Sequence, residues 1–301
     1  MKIGNRSFPE VKNHVYIMGI LNLTPDSFSD GGKYLGYDAA MRHTEEMLRD
    51  GADIIDIGAE STRPGYIPVS TEEEIGRLTE VLRAIRKNFD VPISVDTYKA
   101  AVMNAALSEG ADLANDIWGF RFEDLHPEEM NDDRMTMAEV VAKHGKPVVL
   151  MHNDLVERKA ENRIDLQWER SGVSPAGRED IVVRVREGLE RSLVLARQAG
   201  VEPGSIILDP GVGFAKTLEE NRRVLARLDA FTDLGCSVLL GASRKSVIGD
   251  TLGLPPEERE EGTLVTSVLA AAAGCQFVRV HDVRGNRRAL DFYEKVMGER
   301  L

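Results

Sequence analysis

The sequence has few cysteines, no excess of basic residues and no long apolar run, and each of these shortages excludes something. Among 301 residues only Cys236 and Cys275 are cysteine, with no CxxC pair and no His/Cys cluster. That leaves neither a disulfide framework nor a structural zinc site, so both thiols are expected to be free and buried. Lys and Arg number 38 against 50 Asp and Glu, giving a net charge of -12 and a pI near 5.1. A duplex nucleic-acid binder needs a broad basic face, which this balance excludes; an anionic partner must be met by a local basic pocket. No stretch approaches the roughly 18 apolar residues of a membrane span, and Met1 to Pro9 lacks a signal-peptide core. A cytoplasmic protein is expected.

What is present is ample material for a core, at 42% hydrophobic and 29% charged. Length alone suggests two domains, but α/β barrels run to roughly 250 residues or more as one unit, so periodicity decides. Eight short runs rich in β-branched residues recur: Tyr16 to Leu23, Ile54 to Ala59, Pro92 to Asp96, Asp112 to Ile117, Pro147 to His152, Ser205 to Asp209, Ser237 to Gly241 and Phe277 to His281. Each ends in a polar or Gly-rich stretch and leads into a segment of helical period, the pattern of parallel βα units. Between the second and third runs, Ser70 and Glu73 read as a capping box opening a helix with Ile75, Leu78, Leu82 and Ile85 on one face. A second helix is expected from about Glu179 to Ala199, with Ile181, Val185, Leu189, Leu193 and Ala196 as its buried stripe. Gly51, Gly110 and Gly274 stand where helices stop, as left-handed C′ positions require. With no GxGxxG and no linker, residues 1–301 read as one α/β domain, a single (β/α)8 TIM barrel. The first 14 residues form a short N-terminal flap or hairpin, and Phe120 to Asp133 is an acidic, irregular insertion.

In such a barrel the carboxyl ends of the strands build the active site. Asn22, Asp56, Asp96, Asn115, His152, Asp209, Lys245, Arg279 and His281 all fall there. Any one could cap a helix or sit solvated on the surface, but an unpaired amide or carboxylate inside a barrel costs several kcal/mol. So many together imply a satisfied network or a ligand. Ser61-Thr62-Arg63 offers hydroxyls and a guanidinium, and with Arg279 and His281 could clamp a diphosphate. Asp96, Asn115, Asp209 and Lys245 suit a fused heterocycle carrying a guanidine-like edge and a carbonyl, as pterins do. The segment Asn22 to Gly32, turn-rich yet holding Phe28, suits a lid.

These stretches resemble the dihydropteroate synthase family. The resemblance runs in family order from about residue 15 to 283, through Asn22-Leu23-Thr24-Pro25-Asp26-Ser27-Phe28, Ala59-Glu60-Ser61-Thr62-Arg63-Pro64-Gly65, Ser94-Val95-Asp96, Asn115-Asp116-Ile117, Asp209-Pro210-Gly211-Val212-Gly213-Phe214, Ser243-Arg244-Lys245-Ser246 and Arg279-Val280-His281. It implies condensation of 6-hydroxymethyl-7,8-dihydropterin diphosphate with 4-aminobenzoate, with loss of diphosphate. It also implies that Asp96, Asn115, Asp209 and Lys245 bind the pterin, and that Arg279 stacks on the ring while reaching the diphosphate. By the same resemblance Asn22 is a magnesium ligand, Thr62, Arg63 and His281 form the anion pocket, and Phe28, Pro64, Phe214 and Ser246 hold aminobenzoate. Asp96, Asp209, Lys245 and Arg279 are the expected catalytic set. A cytoplasmic homodimer through the last helices is implied, with the Ala-rich run Thr263 to Ala273 as packing face. Two departures stand out: Ala59 and Ala215 replace glycines usual in the family, each expected to add only a tightly packed methyl. The stretch after His152 also lacks the family's usual Gly-Pro-Met-Gln loop.

Three rival readings share part of this residue set. A corrinoid-dependent methyltransferase would share Asp96, Asn115 and Asp209 but have no use for the anion pocket. A barrel aldolase would make Lys245 a Schiff-base nucleophile, though Lys245 falls past its strand. A non-catalytic binder would need no site for a leaving group.

Overall fold

The computed structural model describes residues 1–23, 33–60, 69–122, 126, 135–156 and 180–299, with the side chains of 33–36 left aside. A two-stranded antiparallel hairpin, β1 (Lys2–Ile3) with β2 (Arg6–Ser7), precedes eight strands that close into a parallel barrel. These are β3 (Tyr16–Asn22), β4 (Ile54–Gly58), β5 (Ile93–Asp96), β6 (Leu113–Asp116), β7 (Val148–Met151), β8 (Ile206–Asp209), β9 (Ser237–Leu240) and β10 (Phe277–Val280), with β10 pairing β3 to shut the ring. Every expected run holds one of them, and no end differs by more than one residue.

Alternation along the strands sorts their side chains into two apolar clusters. Ile17, Ile55, Val95, Ala114, Leu150, Leu208, Val238 and Val278 point outward into the sleeve beneath the helices. Met18, Ile54, Leu113, Val149, Ile207, Leu239 and Phe277 point inward and fill the amino-terminal end of the barrel. The hairpin closes that end, with Ile3 and Phe8 buried in the inward cluster and the Phe8 ring 4.9 Å from Tyr16 and 5.8 Å from Phe277. Fully burying one such side chain is worth roughly 1.5–3 kcal/mol, so the flap is a plug rather than an ornament.

The outer layer is α1 (Lys33–Arg49), α2 (Thr71–Asn88), α3 (Ala100–Ser108), α4 (Met137–His144), α5 (Ile181–Ala199), α6 (Leu218–Ala226), α7 (Ser246–Leu252), α8 (Glu260–Ala273) and α9 (Val283–Gly298). The expected stripe of α5 is buried except for Leu193, which is half-buried. Gly51, Gly110 and Gly274 take the left-handed conformation expected of them. The capping box of α2 is only half present. Ser70 accepts from the Glu73 amide at 3.2 Å, but the Glu73 carboxylate pairs with Arg77 one turn on, a charge attraction that outcompetes return to a neutral amide. Reciprocal boxes occur instead at Thr136/Glu139 on α4 and Thr217/Glu220 on α6. In α8, Thr263, Thr266, Ser267, Ala270 and Ala271 are buried against the chain's own fold, while Val265 and Leu269 of the same run are exposed. Most of the 120–133 insertion lies outside the described residues. Cys275 is buried and Cys236 half-buried, both free. Among the described residues no helix is long and apolar enough to cross a membrane.

Candidate active site

Toward the carboxyl ends of the strands the barrel interior changes character. Register pairs Met18 with Ile54, then Ile20 with Asp56 and Asp56 with Ser94, then Asn22 with Gly58 and Gly58 with Asp96. The same inward positions that carry aliphatic groups at the plugged end carry Asp56, Asp96, Asn115, Asp209 and Arg279 at the open end. Buried polar groups on this scale must satisfy one another.

They do so around one guanidinium. Arg279 donates from Nε to Asp56 Oδ2 at 2.6 Å and from Nη2 to Asp96 Oδ2 at 2.7 Å, so one fork spans two carboxylates. Asn115 donates to the same Asp56 from the other side, at 3.3 and 3.4 Å. Asp56, fully buried, is thus the anchor of the network, and Asp96, less enclosed, lies at its edge. Burial pushes the Asp96 carboxyl up to about 6; Arg279 opposes the rise and Asp56 adds to it. Burial also raises Asp209, against Lys245 and the Gly211 amide, which donates to its Oδ1 at 2.8 Å. Lys245 is drawn down to about 8 by desolvation, with Asp209 resisting. Its Nζ donates to Val212 O at 2.6 Å and stands 4.6 Å from the centre of the Phe214 ring.

Gly241 shows how close these groups come. A Cβ at that position would lie 3.3 Å from Asp209 Oδ2, 3.8 Å from Lys245 Nζ and 4.0 Å from Arg279 Cβ. A carboxylate that can accept, an ammonium and the stem of the arginine whose guanidinium binds Asp56 and Asp96 therefore converge on one rim, with a glycine where any side chain would fill the space. His281, also at this rim, shares a 2.9 Å contact between Nδ1 and Ser243 Oγ, and its amide donates to the same oxygen at 3.2 Å.

A family profile described as pterin binding enzyme matches residues 18–281. The chain belongs to that family. It is 46% identical over 291 residues to the dihydropteroate synthase of Clostridium beijerinckii, covering 96% of each chain. Among solved structures, the Coxiella burnetii dihydropteroate synthase in complex with pteroic acid is 34% identical at TM-score 0.77, covering 95% of this chain and 94% of that one. The Xanthomonas albilineans enzyme with 4-aminobenzoic acid is 35% identical at TM-score 0.79, covering 94% and 93%.

Within this pterin-binding barrel most of the expected site residues meet. Asp96, Asn115, Asp209, Lys245 and Arg279 share one network or its border, with Phe214 against Lys245, His281 at the rim and Asn22 at the exposed end of β3. Ser246 is exposed at the start of α7. Thr62, Arg63, Pro64 and Phe28, with the lid from Thr24 to Gly32, lie outside the described residues. Asp56 matters more than its place in the sequence suggested, because its partners come from 59 and 223 residues away. Its signal was an acidic residue inside an apolar strand.

Three supports were not foreseen. Glu60 accepts from the Val69 amide at 3.2 Å, from Lys99 at 2.5 Å and from Tyr98 Oη at 2.9 Å, tying together the two residues that bracket 61–68. Arg259 donates to Arg244 O at 3.0 Å beneath Gly249, where a Cβ would fall 2.1 Å from the guanidinium; this pins the turn leading into Lys245. Lys216 clasps the turn after β8. Ala215, in that turn, corrects an expectation: its departure from glycine is more than a packed methyl, because it sits at φ +53. The left-handed region costs a residue with a Cβ roughly 1–2 kcal/mol. Ala59 behaves as expected, buried in the outer sleeve.

Proposed function

We propose that this chain couples a 6-hydroxymethyl-7,8-dihydropterin diphosphate to 4-aminobenzoate, releasing diphosphate and 7,8-dihydropteroate. The observation that carries the reading is the convergence of Asp209, Lys245 and Arg279 at Gly241, beside the Asp56–Arg279–Asp96 network. Asp209 and Asp96 offer acceptors to a guanidine-like edge, and Asn115 and Lys245 offer donors to a ring carbonyl and nitrogen.

The chemistry asks little of a base. As the methylene C–O bond breaks, its electron pair leaves with diphosphate, and positive charge spreads over the electron-rich ring. Asp96 and Asp209 favour that charge. Arg63, Arg279 and His281 neutralise the departing anion, and the lid bearing Phe28 keeps water away. The arylamine lone pair then forms the C–N bond, and the nitrogen gives up its extra proton. Phe214, Pro64 and Ser246 hold the aminobenzoate.

The residues present suit a magnesium ion. Asn22 brings a hard amide oxygen to the exposed end of β3, 3.8 Å from the Cβ position of Gly58 and beside Asp96, with no hydrogen-bond partner among the described residues. No group of three or more His, Cys, Asp or Glu gathers there among the described residues, so diphosphate and water would supply the other oxygens, as this cation tolerates. Magnesium held by Asn22 would add its charge to the leaving-group pocket.

We take residues 1–301 as one domain of a cytoplasmic enzyme; the two free thiols fit a reducing compartment. We also take it as a homodimer. Exposed Val265 and Leu269 on α8, and Phe292 and Val296 on the adjacent α9, form the apolar face that supports this.

The direct test mixes the protein with dihydropterin diphosphate, magnesium and aminobenzoate; coupled product with stoichiometric diphosphate is expected. Methyl transfer to a corrinoid without diphosphate release would replace this reading. A second expectation concerns pH. Asp96 must be a carboxylate to accept from the pterin, so affinity should fall as pH drops through about 6. Calorimetric titration of a pterin from pH 8 to 5 checks this, and Asp96→Asn should flatten the profile. The stability linkage has the opposite sign. Because the folded carboxyl is raised above its ordinary value near 4, Asp96 favours the fold most at low pH, and this is lost as pH rises through about 6.

A further inference from the structure

Lys216 follows the turn after β8, and only 8% of it is exposed. A lysine ordinarily keeps its ammonium in water, and burying one is unfavourable unless its protons are accepted. Here Nζ donates to three backbone carbonyls: Gly211 at 2.8 Å, His152 at 3.3 Å and Phe214 at 3.3 Å. His152 stands at the end of β7, and the other two lie in the turn after β8. Three protons meet three acceptors across two neighbouring loops.

No carboxylate among the described residues lies within ion-pair distance of this ammonium. Asp154, Asp209 and Glu220 favour its charge from farther off, Lys245 opposes it, and desolvation draws its pKa down to about 7. The approach is tight. Gly211 sits at φ +69, and a Cβ there would fall 1.9 Å from His152 O and 3.3 Å from Lys216 Nζ. Asn221 secures the turn from its other side, accepting from the Gly213 amide at 2.7 Å and donating to the carbonyls of Lys216 and Thr217 at 2.9 Å.

The clasped turn makes three contacts with the site. Its Gly211 amide reaches Asp209, its Val212 carbonyl takes the Lys245 ammonium, and its Phe214 ring lies against that ammonium. A shift of the turn therefore moves all three together.

We propose that Lys216 is a positioning residue for the reaction: its ammonium, clasping the β7 and β8 loops, sets Lys245, Asp209 and Phe214 where the two substrates meet. This rests on the proposed function in taking Phe214 and Lys245 as substrate contacts. Lys216→Met keeps the stem and removes every donor. A loop displacement of an ångström can cost up to about a hundredfold, so KM for aminobenzoate should rise at least about tenfold and kcat should fall. In the protein without ligand, hydrogen exchange at the Gly211 and Gly213 amides should quicken. Lys216→Arg, which keeps charge and donors on a bulkier head, should recover part of the KM and carries the test if the Met variant does not fold. A lower melting temperature with unchanged KM and unchanged exchange at the two glycines would show a merely structural lysine and overturn the proposal. If the wild type made no dihydropteroate while exchange still quickened in the variant, the clasp would stand, its part in this reaction would fall, and the error would lie in the proposed function.

Discussion

Asp209→Ala should lower pterin affinity by about a thousandfold, roughly 4 kcal/mol, read by calorimetry with a pterin at pH 7.5. The magnitude follows from what the carboxylate does. In the proposed reading it accepts the guanidine-like edge through charge-assisted hydrogen bonds, each worth about 1.5–3 kcal/mol, and it stabilises the charge of desolvated Lys245. The alanine also frees the Gly211 amide, so Asp209→Asn is the sharper probe, because an amide oxygen can still receive that N–H. The asparagine variant should lose most of the affinity while melting close to the wild type. Near-native binding by either variant would remove Asp209 from the pterin site.

The second large effect is expected at Arg279, on fold and catalysis alike. Arg279→Met leaves Asp56 and Asp96 facing each other without the cation that joins them. Removing one partner of a buried pair costs about 3–5 kcal/mol; the arginine side chain is 19% exposed, so the lower end, about 3 kcal/mol at pH 7, is expected. Arg279 opposes the rise already present at Asp96, so without the guanidinium that rise should grow. The contribution of Asp96 to stability is then greatest at low pH and lost as pH rises, so the variant should regain melting temperature between pH 8 and pH 5 more than the wild type does. Thermal denaturation across that range checks the sign. A variant whose deficit is independent of pH would show that the two carboxylates are not its source. Coupling activity should be lost at every pH, because in the proposed reaction Arg279 also meets the departing diphosphate.

The barrel was legible because parallel strands between a filled interior and covering helices need apolar residues on both faces, and eight such runs are hard to mistake. The site was legible for a related reason: Asp56, Asp96, Asn115, Asp209 and Arg279 interrupt those runs at one end, where a polar group must have a purpose. What stayed hidden depends on which partner wins. Glu73 could cap α2 or meet Arg77, and only the fold places the arginine one turn away. Lys216 reads as a surface charge after a glycine-rich turn, and nothing local says that three carbonyls enclose it. Ala215 reads as a small residue in a small space until its backbone angle is known. The Ala-rich run of α8 has the composition of an interface, but only the fold shows which phase is which: Ala270 and Ala271 are buried while Val265 and Leu269 face out.

The hairpin seated under the strands has a consequence for how this protein tolerates change. Ile3 and Phe8 close the floor of the cylinder, far along the axis from the groups that do chemistry. Cohesion is concentrated at one pole and reactivity at the other, so substitutions that loosen the floor should shorten the lifetime of the enzyme while each surviving molecule turns over at its native rate.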